Sequence, residues 1–121
     1  MAAAHYRLDN LTTIIDRNTL QITGRTRDVC SSEPLDAKFR AFGWTVRVAD
    51  GHNFADLTKA LTSPPEPGKP TLVIANTVKG RGVSFMEDVT KWHHGVPSEA
   101  ELKQALGELD SAETKLKEAS K

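Results

Sequence analysis

Runs of β-forming residues alternate with helical segments along this 121-residue chain, and this alternation restricts the possible folds more than any other feature. The run "LTTIID" (11–16) is typical of a short strand buried on both faces. "WTVRVAD" (44–50) alternates apolar and polar residues before an Asp-Gly turn, and "TLVIANTV" (71–78) is the most hydrophobic run, which predicts a central strand. Strands alternating with helices of about ten residues predict the α/β class, with a parallel sheet and flanking helices.

A helix is predicted between the first two strands, in "EPLDAKFRAFG" (33–43). Its apolar residues share one face: Leu35, Phe39 and Phe42. Pro34 suits the first helical position, and Gly43 suits the position just after the helix. A second helix is predicted in "NFADLTKAL" (53–61), where Asn53 is a candidate N-cap. The apolar side of that helix consists of Phe54, Leu57 and Leu61.

The C-terminal part of the chain predicts a long loop and then a long helix. Residues 79–97 lack periodicity, and a loop of that length in a compact domain is usually functional or mobile. "SEAELKQALGELDSAETKL" (98–116) begins with a capping box formed by Ser98 and Glu101. Its apolar stripe consists of Leu102, Ala105, Leu106, Leu109 and Leu116. The polar "KEASK" tail (117–121) is expected to fray.

Composition excludes several classes of protein. The chain has 16 basic and 16 acidic residues, and a general polyanion binder needs a basic excess, so nucleic-acid binding is not expected. No apolar run has membrane length and no signal-peptide pattern is present, so we expect a cytoplasmic protein without a membrane partner. The single cysteine, Cys30, forms no internal disulfide, and an incidental thiol is favoured over a nucleophile.

Polar residues follow two of the predicted strands. Asp16, Arg17 and Asn18 follow the first strand, and Asn76 and Thr77 end the third, just before "KGRG" (79–82). In parallel sheets ligands bind beyond the carboxyl ends of the strands. We therefore expect both groups to open onto one edge of the sheet.

The chemistry of these residues suggests binding of an anion and a cation. At each position a role without any ligand is the alternative. Lys79 and Arg81, separated by a glycine, suit a phosphate, but a solvated turn is favoured when this loop is taken alone. Asn18 and the main-chain carbonyl of Leu20 are hard oxygens suited to Mg²⁺, but an asparagine that caps a turn is the alternative. His93 and His94 could bind an anionic oxygen or move a proton, or remain an idle exposed pair.

Four segments, taken together, resemble the diphosphate-binding domain of transketolases. The resemblance covers about residues 1–110 and is closest to the split type, in which the N-terminal half is a separate subunit. The segments occur in the same order and at the same intervals as in that family: "AAAHYRLDNLTTIIDRNTLQITG", "LDAKFRAFGWTVRVADGHN", "KPTLVIANTVKGRGVSFMED" and "WHHGVPSEAELKQAL".

The resemblance implies an enzyme that uses thiamine diphosphate and magnesium. Transketolases transfer a two-carbon ketol unit between sugar phosphates, as in the pentose phosphate pathway, and the cofactor carries the carbon chemistry. It also implies a partner, either a C-terminal pyrimidine-binding subunit or a second copy in a homo-oligomer. A non-catalytic interaction module, and another thiamine diphosphate enzyme such as a deoxyxylulose-phosphate synthase, are the alternatives.

The resemblance also implies roles for individual residues. Asn18 matches a magnesium ligand, and Leu20 matches the residue whose carbonyl is another; Ile22 matches an apolar residue near the thiamine. Lys79 matches a lysine near the diphosphate. The histidine that touches diphosphate and substrate matches His93, fourteen residues after Lys79, although His94 begins an "HGVP" that resembles the family's histidine-glycine-x-proline.

The family pattern is not complete in this sequence. The family's glycine-aspartate-glycine stretch, which carries the charged magnesium ligand, is absent, and Thr19 stands where glycine is common. We therefore expect residues 1–110 to be the C-terminal part of a diphosphate-binding domain, with 111–121 as a polar tail. The isolated chain is expected to be inactive without further segments and a partner subunit.

Overall fold

The computed structural model describes residues 1–119. Five strands, five α-helices and one 3₁₀ helix form in this part of the chain, in the order α1 (Ala2–His5), β1 (Thr12–Arg17), β2 (Leu20–Gln21), β3 (Gly24–Arg25), α2 (Thr26–Val29), α3 (Leu35–Ala41), β4 (Thr45–Asp50), α4 (Phe54–Thr62), β5 (Thr71–Asn76), the 3₁₀ helix (Thr90–His93) and α5 (Glu99–Ala119). They divide between two compact units. The sheet unit consists of Met1–Asn18 and Cys30–Thr77, and the loop unit consists of Thr19–Val29 and the chain from Val78 onward.

The sheet unit contains a three-stranded parallel sheet in the order β1-β5-β4. The predicted parallel sheet with flanking helices, and the central place of the third strand, are therefore confirmed. Ile74 of β5 lies between Ile15 of β1 and Val48 of β4 in the register. Leu72, Val73 and Ile74 have no exposed surface, because β5 has a neighbouring strand on each side and a helix over each face.

The two faces of the sheet pack against different helices. On one face the buried residues pack against Ile15, Leu35, Phe39 and Trp44: they are Val46, Leu72 and Ile74. On the other face the buried residues pack against Leu57: they are Ala49, Ala60 and Val73. Alternate residues of β5 thus supply both cores, as the twofold period of a strand requires.

Several expectations about burial in this unit are wrong. The first strand is not buried on both faces; its residues alternate between exposed and half-buried, and Ile14 is 54% exposed because β1 is an edge strand with one neighbour. Val48 and Phe54 are also exposed, so the predicted apolar alternation of β4 and the apolar side of α4 are only partly formed. Pro34 has an extended conformation and caps α3, which begins one residue later at Leu35.

The predicted helix caps agree with the structure. The side-chain oxygen of Asn53 accepts hydrogen bonds from the backbone N–H groups of Ala55 (3.0 Å) and Asp56 (3.2 Å), which fixes the start of α4. In the loop unit, Ser98 Oγ accepts from Glu101 N (3.3 Å) and the Glu101 carboxylate accepts from Ser98 N (2.8 Å), the reciprocal pattern of a capping box.

The loop unit consists of the β2-β3 hairpin, α2, the segment from Val78 to the 3₁₀ helix, and α5. Among its described residues, the buried hydrophobic ones are Val83 and Ala105. The leucines of the α5 stripe remain exposed: Leu102, Leu106, Leu109 and Leu116. α5 includes the first three residues of the predicted "KEASK" tail, and Ser120 and Lys121 lie outside the described residues.

Candidate functional site

The carboxyl ends of β1 and β5 lie side by side in the sheet unit. Arg17 pairs with Asn76 in the parallel register, and Thr77 N donates to Arg17 O (3.3 Å). The Thr77 hydroxyl donates to the Asp16 carboxylate, and Arg17 Nη1 donates to Asn76 Oδ1 (3.5 Å). The predicted shared edge is confirmed for residues 16–17 and 76–77; for Asn18 and the "KGRG" loop it stays a prediction.

Asp16 and Arg17 are engaged in holding this edge together. Arg17 Nε also forms an ion pair with Glu33 (2.8 Å), in addition to its contact with Asn76. Asp16 bonds across the strands to Thr77. These contacts fix the end of β1, and Asn18 is the first residue beyond the strand.

The chain turns sharply between Asn18 and Leu20. Thr19 has a φ of 63°, in the left-handed region that glycine adopts freely and that β-branched residues avoid. Such a conformation costs on the order of 1–3 kcal/mol, and it persists only where neighbouring contacts enforce it. Glycine, which the resemblance leads us to expect here, would adopt it without strain.

Within the loop unit, hydrogen bonds hold Thr19 in this conformation. The Thr19 carbonyl accepts from Thr26 N (2.9 Å), and its hydroxyl accepts from Arg25 Nη1 (3.3 Å). Leu20 pairs directly with Arg25 across the hairpin. Ile22 lies in the turn of the hairpin and is 58% exposed, so its apolar surface is accessible to a ligand.

The "KGRG" loop is a tight turn closed by its own chain. Gly80 has a φ of 76°, and a Cβ at this position would lie 2.5 Å from the Met86 carbonyl oxygen. Gly82 N donates to Glu87 Oε1 (3.1 Å), and the same carboxylate lies 3.7 Å from Arg81 Nη1. The close approach that Gly80 permits is therefore to Met86, while the half-buried Lys79 is held through its carbonyl, which accepts from Asp88 N (2.8 Å).

His93 is the last residue of the 3₁₀ helix, and His94 follows it. Their rings are 5.9 Å apart in an edge-on arrangement, and both side chains are exposed. Trp92 anchors the helix, because its indole N–H donates to the Phe85 carbonyl (3.0 Å) and its ring packs edge-on against that of Phe85. Strand β2, which contains Leu20, lies against this helix, so the loop unit brings the Leu20 and His93 segments together.

An ion pair between Arg25 and Asp88 is a contact in this region that the sequence did not predict. Arg25 Nη1 donates to Asp88 Oδ1 (2.8 Å), and Nη2 donates to Oδ2. Hydrogen bonding to Asp88, together with the negative charge of Asp88, raises the pKa of Arg25 above its usual value. The two residues are 63 positions apart, so no local pattern in the sequence links them.

The chemistry of the donors bears on what the region could bind. In residues 1–119, no three histidine, cysteine, aspartate or glutamate side chains come together as a metal cluster. The expected donors on either side of Thr19, the Asn18 amide oxygen and the Leu20 main-chain carbonyl, are neutral oxygens, and Mg²⁺ accepts such oxygens alongside phosphate. The donor set therefore fits part of a magnesium site.

Comparison with known proteins identifies the family. Residues 1–115 match the family described as "Transketolase, thiamine diphosphate binding domain". The chain belongs to the transketolase family. This match covers nearly the whole sequence and agrees with the resemblance stated from the four segments.

Curated relatives include components of split transketolases. The chain is 46% identical over 109 residues to an apulose-4-phosphate transketolase subunit of Actinobacillus succinogenes, which covers 90% of this chain and 40% of that protein. It is 40% identical over 111 residues to a 6-deoxy-6-sulfo-D-fructose transketolase subunit of a Clostridium strain, covering 91% of this chain and 40% of that one. This transketolase-family chain thus spans about two-fifths of the length of these relatives.

The fold also matches a solved transketolase structure. The crystal structure of the Campylobacter jejuni enzyme superposes with a TM-score of 0.80 at 31% identity, over 90% of this chain and 17% of that one. The arrangement of parallel strands and helices is therefore that of a transketolase domain. In the part of the chain that the structure describes, no helix combines the length and apolarity needed to cross a membrane.

Proposed function

We propose that this chain forms part of the thiamine diphosphate site of a transketolase that transfers a two-carbon ketol unit between sugar phosphates. The proposal rests on the family match over residues 1–115. The split relatives are each named as one subunit of a transketolase, so we further propose that the chain acts with a second subunit, or with another copy of itself, in the cytoplasm. These relatives are named for different substrates, apulose-4-phosphate and 6-deoxy-6-sulfo-D-fructose.

Asn18 and Leu20 are the proposed magnesium ligands. Asn18 and Leu20 are one residue apart in the sequence, and each supplies a hard neutral oxygen, the Asn18 side-chain amide and the Leu20 carbonyl. Mg²⁺ demands near-octahedral oxygen coordination, so two neutral ligands are too few. The remaining oxygens are proposed to come from the diphosphate and from other groups of the assembled enzyme.

The other proposed contacts follow from side-chain chemistry. The Lys79 ammonium suits the negative charge of a diphosphate, and the exposed Ile22 side chain suits the apolar side of the thiamine. When bound, thiamine diphosphate supplies the carbon chemistry of the transfer. His93 is proposed to hydrogen-bond diphosphate or substrate oxygens and to move a proton there, with His94 as the alternative, because an exposed imidazole can donate to an anionic oxygen.

The test is a matched pair of asparagine variants. Residues 1–115 would replace the corresponding segment of the Actinobacillus succinogenes relative, and calorimetry would measure Mg-dependent thiamine diphosphate binding. Asn18→Ala is expected to weaken binding at least about tenfold. Asn10→Ala, an exposed asparagine in the sheet unit, is expected to change nothing. A folded chimera that does not bind the cofactor, or equal affinities for the two variants, would contradict the assignment.

The 121-residue chain by itself gives a second measurement. We expect calorimetry to detect little or no binding of magnesium and thiamine diphosphate, since one amide and one carbonyl are poor substitutes for a charged ligand set. Ketol transfer by the purified chain alone would contradict the proposal that further segments are needed.

A non-catalytic interaction module is the second candidate function. The observation that favours it is the exposed apolar surface of α5, where Leu106 is 53% exposed, and of the edge strand β1. Apolar surfaces of this kind associate with partners. Sedimentation that detects a stable monomer with no affinity for the C-terminal subunit of a split transketolase would exclude this role.

A further inference from the structure

One guanidinium contacts two strained backbone positions of the loop unit. Arg25 donates to the Thr19 hydroxyl and to both oxygens of the Asp88 carboxylate. Thr19 and Asp88 both have left-handed φ values, 63° and 60°. Strained positions persist when surrounding contacts over-determine them, and a bidentate arginine–carboxylate pair is a contact with strict geometry.

Each of these two positions adjoins a residue that we have assigned to cofactor binding. Thr19 immediately precedes Leu20. Asp88 binds Lys79 directly, because its backbone N–H donates to the Lys79 carbonyl (2.8 Å). Asp88 also lies two positions before the 3₁₀ helix that ends at His93.

We propose that Arg25 is a positioning residue that locks the Thr19 turn and the Asp88 loop together, and so fixes the Leu20 carbonyl and Lys79 for the cofactor. The assignment to the cofactor rests on the proposed function. The lock itself concerns contacts within this chain and is testable without any ligand.

A stabilising role alone does not explain the pair. The Arg25 and Asp88 side chains are each 41% exposed, and ion pairs this exposed contribute little to global stability. A lysine at position 25 would keep the charge but lose the planar fork that reaches two partners at once. The fixed geometry of the pair therefore indicates a positioning role, whereas its charge contributes little to global stability.

The experiment measures amide hydrogen exchange by NMR in the 121-residue chain without cofactor. The Thr26 amide donates to Thr19 and reports on the turn, and the Asp88 amide donates to Lys79 and reports on the loop. Arg25→Gln is expected to speed exchange at both amides by about tenfold, and Arg25→Lys by less. Lys69→Gln, which breaks the exposed Lys69–Glu66 pair of the sheet unit, is the matched control and is expected to change neither amide.

Rescue by glycine separates positioning from a general structural effect. Glycine adopts a left-handed φ without strain, so Thr19→Gly combined with Arg25→Gln is expected to restore slow exchange at the Thr26 amide. The Asp88 amide should remain fast in the double variant, because its partner carboxylate has still lost the guanidinium. If Arg25→Gln disturbed the structure generally, Thr19→Gly would not slow exchange at the Thr26 amide alone while the Asp88 amide stayed fast.

The outcomes decide the proposal separately from the proposed function. Exchange within about twofold of the control in Arg25→Gln, or no rescue by Thr19→Gly at the Thr26 amide, would overturn the lock. If Arg25→Gln does not fold, the exchange rates of Arg25→Lys are compared with the control against the same twofold limit. Should Asn18→Ala leave cofactor binding unchanged while Thr19→Gly rescues Arg25→Gln, the cofactor assignment falls and the lock stands.

Discussion

In the sheet unit, three consecutive residues of β5 have no exposed surface, whereas the described part of the loop unit buries only Val83 and Ala105 among its hydrophobic residues. The loop unit is instead rich in directed polar contacts, such as the Arg25–Asp88 pair and the hydrogen bonds from Ser84 to Glu108. Most of the proposed cofactor residues belong to it. Binding residues often lie on loops that a rigid scaffold supports, and such loops open at lower free energy than a core.

The largest expected effect is the removal of a core side chain from the sheet unit. Ile74→Ala deletes three carbons at a position without exposed surface, and we expect a loss of about 2–5 kcal/mol in the free energy of unfolding. Urea unfolding followed by circular dichroism measures it. Leu106→Ala on α5, where the side chain is 53% exposed, is the control and should cost less than about 1 kcal/mol. Similar losses of unfolding free energy for both variants would mean that the two units do not differ in how much their apolar side chains contribute to stability.

A glycine pair tests the backbone geometry of the loop unit. Gly80→Ala puts a Cβ at 2.5 Å from the Met86 carbonyl oxygen at a left-handed φ, and we expect a cost of about 1–3 kcal/mol. Gly107→Ala, in the interior of α5, meets no atom within 4 Å and should stabilise the helix by roughly 0.5–1 kcal/mol. Thermal unfolding compares the two, and a neutral Gly80→Ala would contradict the tight turn.

The smallest expected effect is the response of the polar contacts to acid. Hydrogen bonds from the Ser98 and Ser84 backbones lower the pKa values of Glu101 and Glu108 below the usual 4.5. A lowered pKa in the folded state means that these contacts stabilise fully above pH 4.5, the unfolded value, and are lost as pH falls through the lower folded-state pKa. NMR of the Ser98 and Ser84 amides between about pH 7 and pH 3 should detect their release in acid. Amides of β5 should stay protected, since the backbone ladders to β1 and β4 hold that strand.

A matched variant separates this effect from general acid unfolding. Glu101→Gln removes the titrating carboxylate from the capping box, so the pH dependence of the Ser98 amide should largely disappear. The Ser84 amide should keep its own dependence through Glu108. If β5 amides and both serine amides lose protection at one pH, the sheet unit is as acid-sensitive as the loop unit.

Local patterns in the sequence predicted the elements and their caps well. The three parallel strands, the Asn53 cap and the Ser98–Glu101 capping box depend on residues that are neighbours along the chain. The four linked segments also indicated the transketolase family, which the match over residues 1–115 confirms. The roles of Asn18, Leu20, Ile22, Lys79, His93 and His94 stay predictions, because no ligand contact tests them.

The amino-acid sequence by itself determined the alternation of the main strands and helices, the N-terminal caps of α4 and α5, and the family, because these depend on short-range periodicity and on residue types at fixed spacing. Only the tertiary structure decided that β1 is an exposed edge, that the leucines of α5 remain uncovered, and that Arg25 binds Asp88. Burial depends on how many neighbours an element acquires, and an ion pair between residues 63 positions apart depends on where the folded chain brings them. Neither quantity is contained in a local stretch of sequence.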